Sequence, residues 1–128
     1  MNYPFNAQSG LVVVQTEIFG PSGSIVLSFA LDTGATGTMI NVAPLTAIGY
    51  DSSLASERVQ VTTGSGVEYA PRISVARFKS MEQERFDFPA LAHTLPPSAS
   101  IDGLLGLDFL RGQKLELDFQ QGIISLST

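Results

Sequence analysis

Apolar positions recur at every second residue through several short stretches of this 128-residue chain. That period belongs to β-strands with one buried face. Leu27, Phe29 and Leu31 give the clearest case, inside a predicted strand over residues 24–31. The stretch 11–19, rich in Val, Thr and Ile, predicts the strand before it, and Gly20-Pro21-Ser22-Gly23 predicts the turn joining the two as a hairpin. Thr38 to Asn41 resumes an extended segment. Residues 42–48 predict one short helix, with Pro44 in its first turn and Gly49 just past its end. A polar loop is expected over 51–57. Val59 and Val61 alternate through a strand over 58–63, and Gly64-Ser65-Gly66 predicts a turn into a further strand over 67–78. Pro71 marks that strand as an edge or a bend.

The charged run from Lys79 to Arg85 predicts a solvated turn. Residues 86–92 predict a strand broken by Pro89, and His93 then opens a loop through Pro97, where a surface role is expected for it. In Ile101-Asp102-Gly103-Leu104-Leu105-Gly106 two leucines stand between glycines, the pattern of a buried strand in close backbone contact with a neighbour. Residues 107–111 predict a short helical piece ending at Gly112. Leu115, Leu117 and Phe119 alternate with acids, Gln120-Gln121-Gly122 turns the chain, and residues 123–126 form the last strand. So many short strands with turns every ten or so residues predict an all-β barrel or sandwich, read as one domain over residues 1–128.

Composition narrows the chemistry. Hydrophobic residues make up 44% of the chain, enough for a substantial core. The net charge of -5, with no Lys/Arg cluster, argues against nucleic-acid binding. There is no cysteine, which excludes disulfides, zinc–thiolate sites and thiol nucleophiles. His93 is the sole histidine, too few for a histidine-rich metal site, and no Ser sits in a Gly-x-Ser-x-Gly setting. No cofactor or metal is expected. No apolar run approaches the ~20 residues of a membrane helix. Residues 1–10 show no basic region followed by an apolar stretch, so no signal peptide is read. The expected setting is cytoplasmic, or a domain cut from a longer protein.

The candidate chemistry lies in Phe29-Ala30-Leu31-Asp32-Thr33-Gly34-Ala35. An apolar strand runs into a carboxylate, and Gly34 supplies the backbone freedom for a tight turn directly after it. Strands are poor places for Asp, so an acid on a rigid element at the mouth of a core is a candidate working group.

Leu31-Asp32-Thr33-Gly34-Ala35, followed about seventy residues later by Leu104-Leu105-Gly106, resembles the retroviral-type (retropepsin-like) aspartic proteases. The resemblance spans most of the chain. Its ending, from Asp102 through Leu115-Glu116-Leu117-Asp118-Phe119 to Gly122-Ile123-Ile124-Ser125-Leu126, is similar to cellular and bacterial members more than to viral ones. It implies a closed, barrel-like all-β acid-protease fold with one or two short helices, working as a two-fold homodimer. It also implies roles. Asp32 is the catalytic carboxylate, Thr33 ties two active-site turns across the two-fold axis, Gly34 presents backbone to substrate, and Ala35 supports the active site. Leu104, Leu105 and Gly106 pack behind the turn. Thr63, Gly64, Ser65 and Gly66 lie at or near the tip of a substrate-covering flap. One departure stands out. Viral members usually carry Asp two places after the motif's Gly and Arg after the downstream Gly, paired with each other. Here those places hold Thr36 and Leu107. Both charges are absent together, so neither is left unpaired inside. The departure bears on substrate grip, because that acid also contacts peptide backbone in viral members.

Peptide hydrolysis by this route needs two carboxylates at one water, and the chain has one Asp-Thr-Gly. Asp51, Asp87, Asp108 and Asp118 lack that context. Asp102 is the best internal competitor, because Gly103 follows it. Two copies of Asp32 meeting across an isologous interface are preferred. The N-terminal segment and residues 122–126 are the candidate interface strands. The implied activity is an endopeptidase acting on extended peptides, with a second copy and the peptide as its partners. The alternative is a non-catalytic dimerisation or peptide-binding module on the same fold.

Overall fold

The computed structural model describes residues 2–63 and 66–128, with backbone only at 62 and 63. Among the described residues, ten strands and two short α-helices follow one another. Strands β1 (Asn2–Pro4), β2 (Val13–Gly20), β3 (Gly23–Leu31) and β4 (Met39–Ile40) lead into helix α1 (Val42–Ala47). Strands β5 (Glu57–Thr63), β6 (Gly66–Ser80), β7 (Gln83–Ala92) and β8 (Gly103–Leu105) precede helix α2 (Leu107–Leu110). Strands β9 (Lys114–Asp118) and β10 (Ile123–Ser127) end the chain. No helix among the described residues is long and apolar enough to cross a membrane.

Seven strands hydrogen-bond in the order β2-β3-β8-β4-β7-β6-β5, and β2 also pairs with β6. The second pairing closes six of the strands into a barrel and leaves β5 outside it. Closure removes the edges that an open sheet would expose. The seam is pinned at both ends. At one end the buried Thr16 hydroxyl donates to Ser80 Oγ at 3.0 Å. At the other, where the ladder stops at Phe19 and Arg77, Tyr50 Oη donates to the Phe19 carbonyl (2.6 Å) and accepts from the Ala76 amide (2.8 Å). A side chain thus supplies the rung that the backbone lacks.

Period-two alternation sorts inside from outside. Val14, Thr16 and Ile18 on β2 face Leu27 and Phe29 on β3, all of them buried. Phe78 stacks among Phe29, Phe88 and Phe109, with ring centroids 4.7–5.8 Å apart. Burying an aromatic of this size is worth about 1.5–3 kcal/mol, so this cluster anchors the barrel. Helix α1 spans the predicted stretch less its last residue, and Gly49 leaves it at φ +100.

Three expectations are corrected. The run 79–85 is not a solvated turn. Lys79 pairs with Glu84 and Ser80 with Gln83 in a ladder that is continuous from the Arg77–Phe86 pair to the turn, and only Met81 and Glu82 turn, at φ 50 and 59. Those angles suit a two-residue hairpin. The charges misled because Lys79 and Glu84 lie on the outer face, where Arg77 Nη2 meets Glu84 Oε1 at 2.7 Å, while Phe78 and Ser80 point inward. Pro89 does not break β7. It sits opposite Ser74, and β4 reaches only Leu91 and Ala92, so its missing N–H leaves no rung open. Pro71, by contrast, stands one residue before β6 exchanges β5 for β7 as its partner. Finally, residues 122–126 do not offer a free edge. Strand β10 lies between β1 and β9 in a three-stranded sheet, whose open edges are β1 and β9.

Candidate active site

Strand β3 ends at Leu31, and the chain from Asp32 to Thr38 loops outward before β4. The loop is laid against the segment 105–108. The Asp32 amide donates to the Leu105 carbonyl at 2.9 Å, continuing the parallel β3–β8 ladder by one bond. The Leu107 amide donates to the Ala35 carbonyl at 2.8 Å. The predicted close contact of the Leu-Leu strand is therefore real. A Cβ on Gly103 would meet the Met39 carbonyl at 2.6 Å, and one on Gly106 would meet the Ala35 carbonyl at 2.8 Å. Leu105 is wholly buried, and Leu104 half-buried.

Asp32 is half-buried, and its Oδ1 accepts from the Gly34 amide at 2.9 Å. The short turn folds the carboxylate back over its own backbone. A Cβ at Gly34 would stand 3.2 Å from that oxygen, which is tight. Thr33 and Gly34 are exposed, and Ala35 is half-buried. A groove of about 320 Å³ opens here. Asp32, Gly34 and Thr36 form one side of it, and Met39, Val59, Val61 and Leu91 give it apolar walls. Two larger hollows, each about 490 Å³, lie beside the terminal strands, and neither is lined by Asp32. Val59 and Val61 belong to β5, so the β5–β6 hairpin stands at the groove that holds the acid. Thr63 pairs with Gly66 at the far end of that hairpin, and Gly64 and Ser65 lie outside the described residues.

Asp102 is not a groove residue. Its Oδ2 accepts from the Ser28 amide at 3.0 Å, and its backbone bridges Ser28 and Asn41. It is spent on holding β3, which removes it as an internal partner for Asp32. His93 donates its amide to the Ile40 carbonyl, and its Nε2 lies 3.6 Å from Glu68 on the hairpin strand β6. Sequence reasoning missed Thr38 and Asp108, which join the loop's far end to α2. A Thr before an apolar strand and an Asp in a short helix carry no spacing that links them across seventy residues. Strong charge pairs lie elsewhere. Hydrogen bonding to Arg77 holds the Glu84 carboxyl below its ordinary range and raises Arg77 in turn, on the outer face of the barrel.

The profile of the aspartyl protease family matches residues 14–109. That span contains both the Asp32 loop and the segment against which it lies. No curated protein matches the sequence significantly. Among solved structures, the fold is similar to that of a retropepsin-like aspartic protease from Rickettsia conorii, with a TM-score of 0.71 at 16% identity over 97% of this chain and 95% of that one. The chain thus belongs to the aspartyl protease family and has the retropepsin-like fold.

Proposed function

We propose that the protein is an endopeptidase whose working form is a homodimer, with the two Asp32 carboxylates sharing one water. The observation that carries this reading is the setting of Asp32: one acid of the family motif in an apolar-walled groove, its carboxylate accepting from its own turn amide. One carboxylate supplies a base or an acid, and amide hydrolysis needs both at once. Asp102 is engaged elsewhere, so the second acid comes from a second copy. Like charges about 3 Å apart do not both ionise, and aspartic proteases are the known case of such a pair sharing a proton. The ionised Asp32 takes a proton from water as its oxygen bonds to the scissile carbonyl carbon. The protonated one gives its proton to the carbonyl oxygen. The diol then collapses: the Asp32 that took the water's proton gives it to the amide nitrogen, the other takes a proton from a diol hydroxyl, and the C–N bond breaks. The exposed Thr33 suits a tie between the two turns across the axis, and Gly34 suits close backbone approach by substrate.

The groove supports a substrate class. Its walls of Met39, Val59, Val61 and Leu91 favour apolar side chains beside the cut. Strand β5 is the open edge of its sheet, so an extended peptide adds through backbone hydrogen bonds, covered by the β5–β6 hairpin acting as a flap. The open edges of β1 and β9 are the surfaces left for inter-subunit pairing. With Thr36 and Leu107 in place of the viral charge pair, peptide grip rests on backbone and apolar contacts.

The test incubates the protein with a peptide library from mildly acid to neutral pH, with and without a statine-type inhibitor, beside Asp32→Asn. Cleavage that is inhibited by the statine, lost in Asp32→Asn, and accompanied by an unchanged dimer in sedimentation supports the reading. Full proteolysis by a clean Asp32→Asn preparation ends it. Saturable binding without cut product assigns the groove to a binding module instead.

A further inference from the structure

We propose that Asp108, acting through the buried hydroxyl of Thr38, is the positioning residue that locks the far end of the Asp32 loop, an inference that rests on the protease reading of that loop. Thr38 is wholly buried, and its hydroxyl both donates and accepts. It donates to Asp108 Oδ1 at 2.7 Å and accepts from the Gly106 amide at 3.1 Å. The Thr38 amide donates to the other carboxylate oxygen, Oδ2, at 2.9 Å. Asp108 Oδ1 also accepts from the Phe109 amide at 2.9 Å, which fixes the carboxylate to helix α2. Charged acceptors make the stronger hydrogen bonds, and here one carboxylate grips both the backbone and the side chain of a single residue.

The loop from 32 to 38 is therefore held at three places by the segment 105–108. Leu105 takes its first amide, Leu107 its middle carbonyl, and Asp108 its last residue. The first two contacts are backbone bonds that almost any sequence supplies. The third depends on side-chain chemistry and spans seventy residues of sequence. Phe109 and Leu110, buried on the same helix, anchor Asp108 to the barrel core. The rigidity of the core is thus passed to the turn that bears Asp32. Two copies of that turn must meet with their carboxylates at one water, where a displacement of about an ångström costs on the order of 100-fold in rate.

The experiment compares the whole protein with Thr38→Val, Thr38→Ser and Asp108→Asn. Thr38→Val keeps the shape but leaves the Gly106 amide and Asp108 Oδ1 short of a partner. Turnover is normalised to active sites titrated with a statine-type inhibitor, well below each variant's Tm. Thr38→Val should lower kcat on the order of 10- to 100-fold with KM within about twofold, and Thr38→Ser, which restores the hydroxyl, should recover most of it. Amide hydrogen exchange supplies a readout independent of activity. The Asp32 and Leu107 amides, which cross between the two segments, should exchange about tenfold faster or more in Thr38→Val, with the β6–β7 ladder unchanged. Asp108→Asn keeps an acceptor for the Thr38 amide and should fall between. A kcat of Thr38→Val equal to the wild type, or unchanged exchange at Asp32 and Leu107, overturns the proposal. A wild type that cuts nothing refutes the protease reading instead, and exchange alone then decides whether Asp108 locks the loop.

Discussion

Gly106→Ala isolates the contact between the Asp32 loop and the strand behind it. Gly106 has φ −97 and ψ −173, angles that alanine adopts freely, so backbone preference is not at issue. The obstacle is space. An added Cβ would lie 2.8 Å from the Ala35 carbonyl oxygen, 2.8 Å from the Gly37 carbonyl carbon and 2.9 Å from its oxygen. All three atoms are backbone of the loop, so no side chain can swing aside. Ordinary contact begins near 3.4 Å, and loop and strand must part by roughly half an ångström. Overpacking of this kind costs about 1–3 kcal/mol. For a domain of this size each kcal/mol moves Tm by about 4 °C, so a fall of about 4–12 °C is expected. The displaced loop carries Asp32, and kcat should drop on the order of 10- to 100-fold beyond any loss of folded protein. Thermal unfolding by circular dichroism and turnover of a cleaved peptide read the two effects separately. Gly37→Ala is the control from the facing side, because a Cβ there meets nothing within 4 Å. It should leave Tm unchanged or raised by a few degrees through a less flexible unfolded chain. Equal behaviour of the two variants would refute the packing argument.

Tyr50→Phe removes the rung that bridges Phe19 and Ala76 at the barrel seam and should cost about 1–2 kcal/mol, read in denaturant melts with an unchanged slope. No loss would mean that water replaces the hydroxyl. Glu84 binds its proton less readily in the folded state, chiefly because Arg77 hydrogen-bonds its carboxylate. The unfolded chain therefore takes up the proton first as pH falls. Stabilisation is complete above the ordinary carboxylate pKa and is lost as pH drops through the lower folded value. Glu84→Gln should flatten that part of the acid-unfolding curve and leave stability near neutral pH only slightly reduced, since the pair lies on the surface. An unaltered acid limb would show that the pair contributes nothing.

Much of this architecture follows from local pattern. Period-two runs mark β2, β3, β5 and β9, and Pro44 with Gly49 brackets α1, because burial of one face and backbone freedom are properties of a few adjacent residues. The Asp-Thr-Gly turn and the Leu-Leu-Gly strand are likewise visible, since a small residue where backbones touch leaves its mark in sequence. Charge was a poorer guide: Lys79 to Arg85 reads as a turn, yet Lys79 and Glu84 are outward-facing partners on two paired strands, and Arg85, opposite Phe78, lays its guanidinium over the Phe109 ring. Apart from the Leu-Leu-Gly strand behind the Asp32 turn, the order of residues left the long-range partnerships open. The closure of β2 on β6, the use of Asp102 to hold Ser28, the pairing of β1 with β10 and the grip of Asp108 on Thr38 each join residues dozens of positions apart. Such pairings are fixed only when the whole core closes, because the free energy that selects them comes from burying the chain together and not from any one stretch of it.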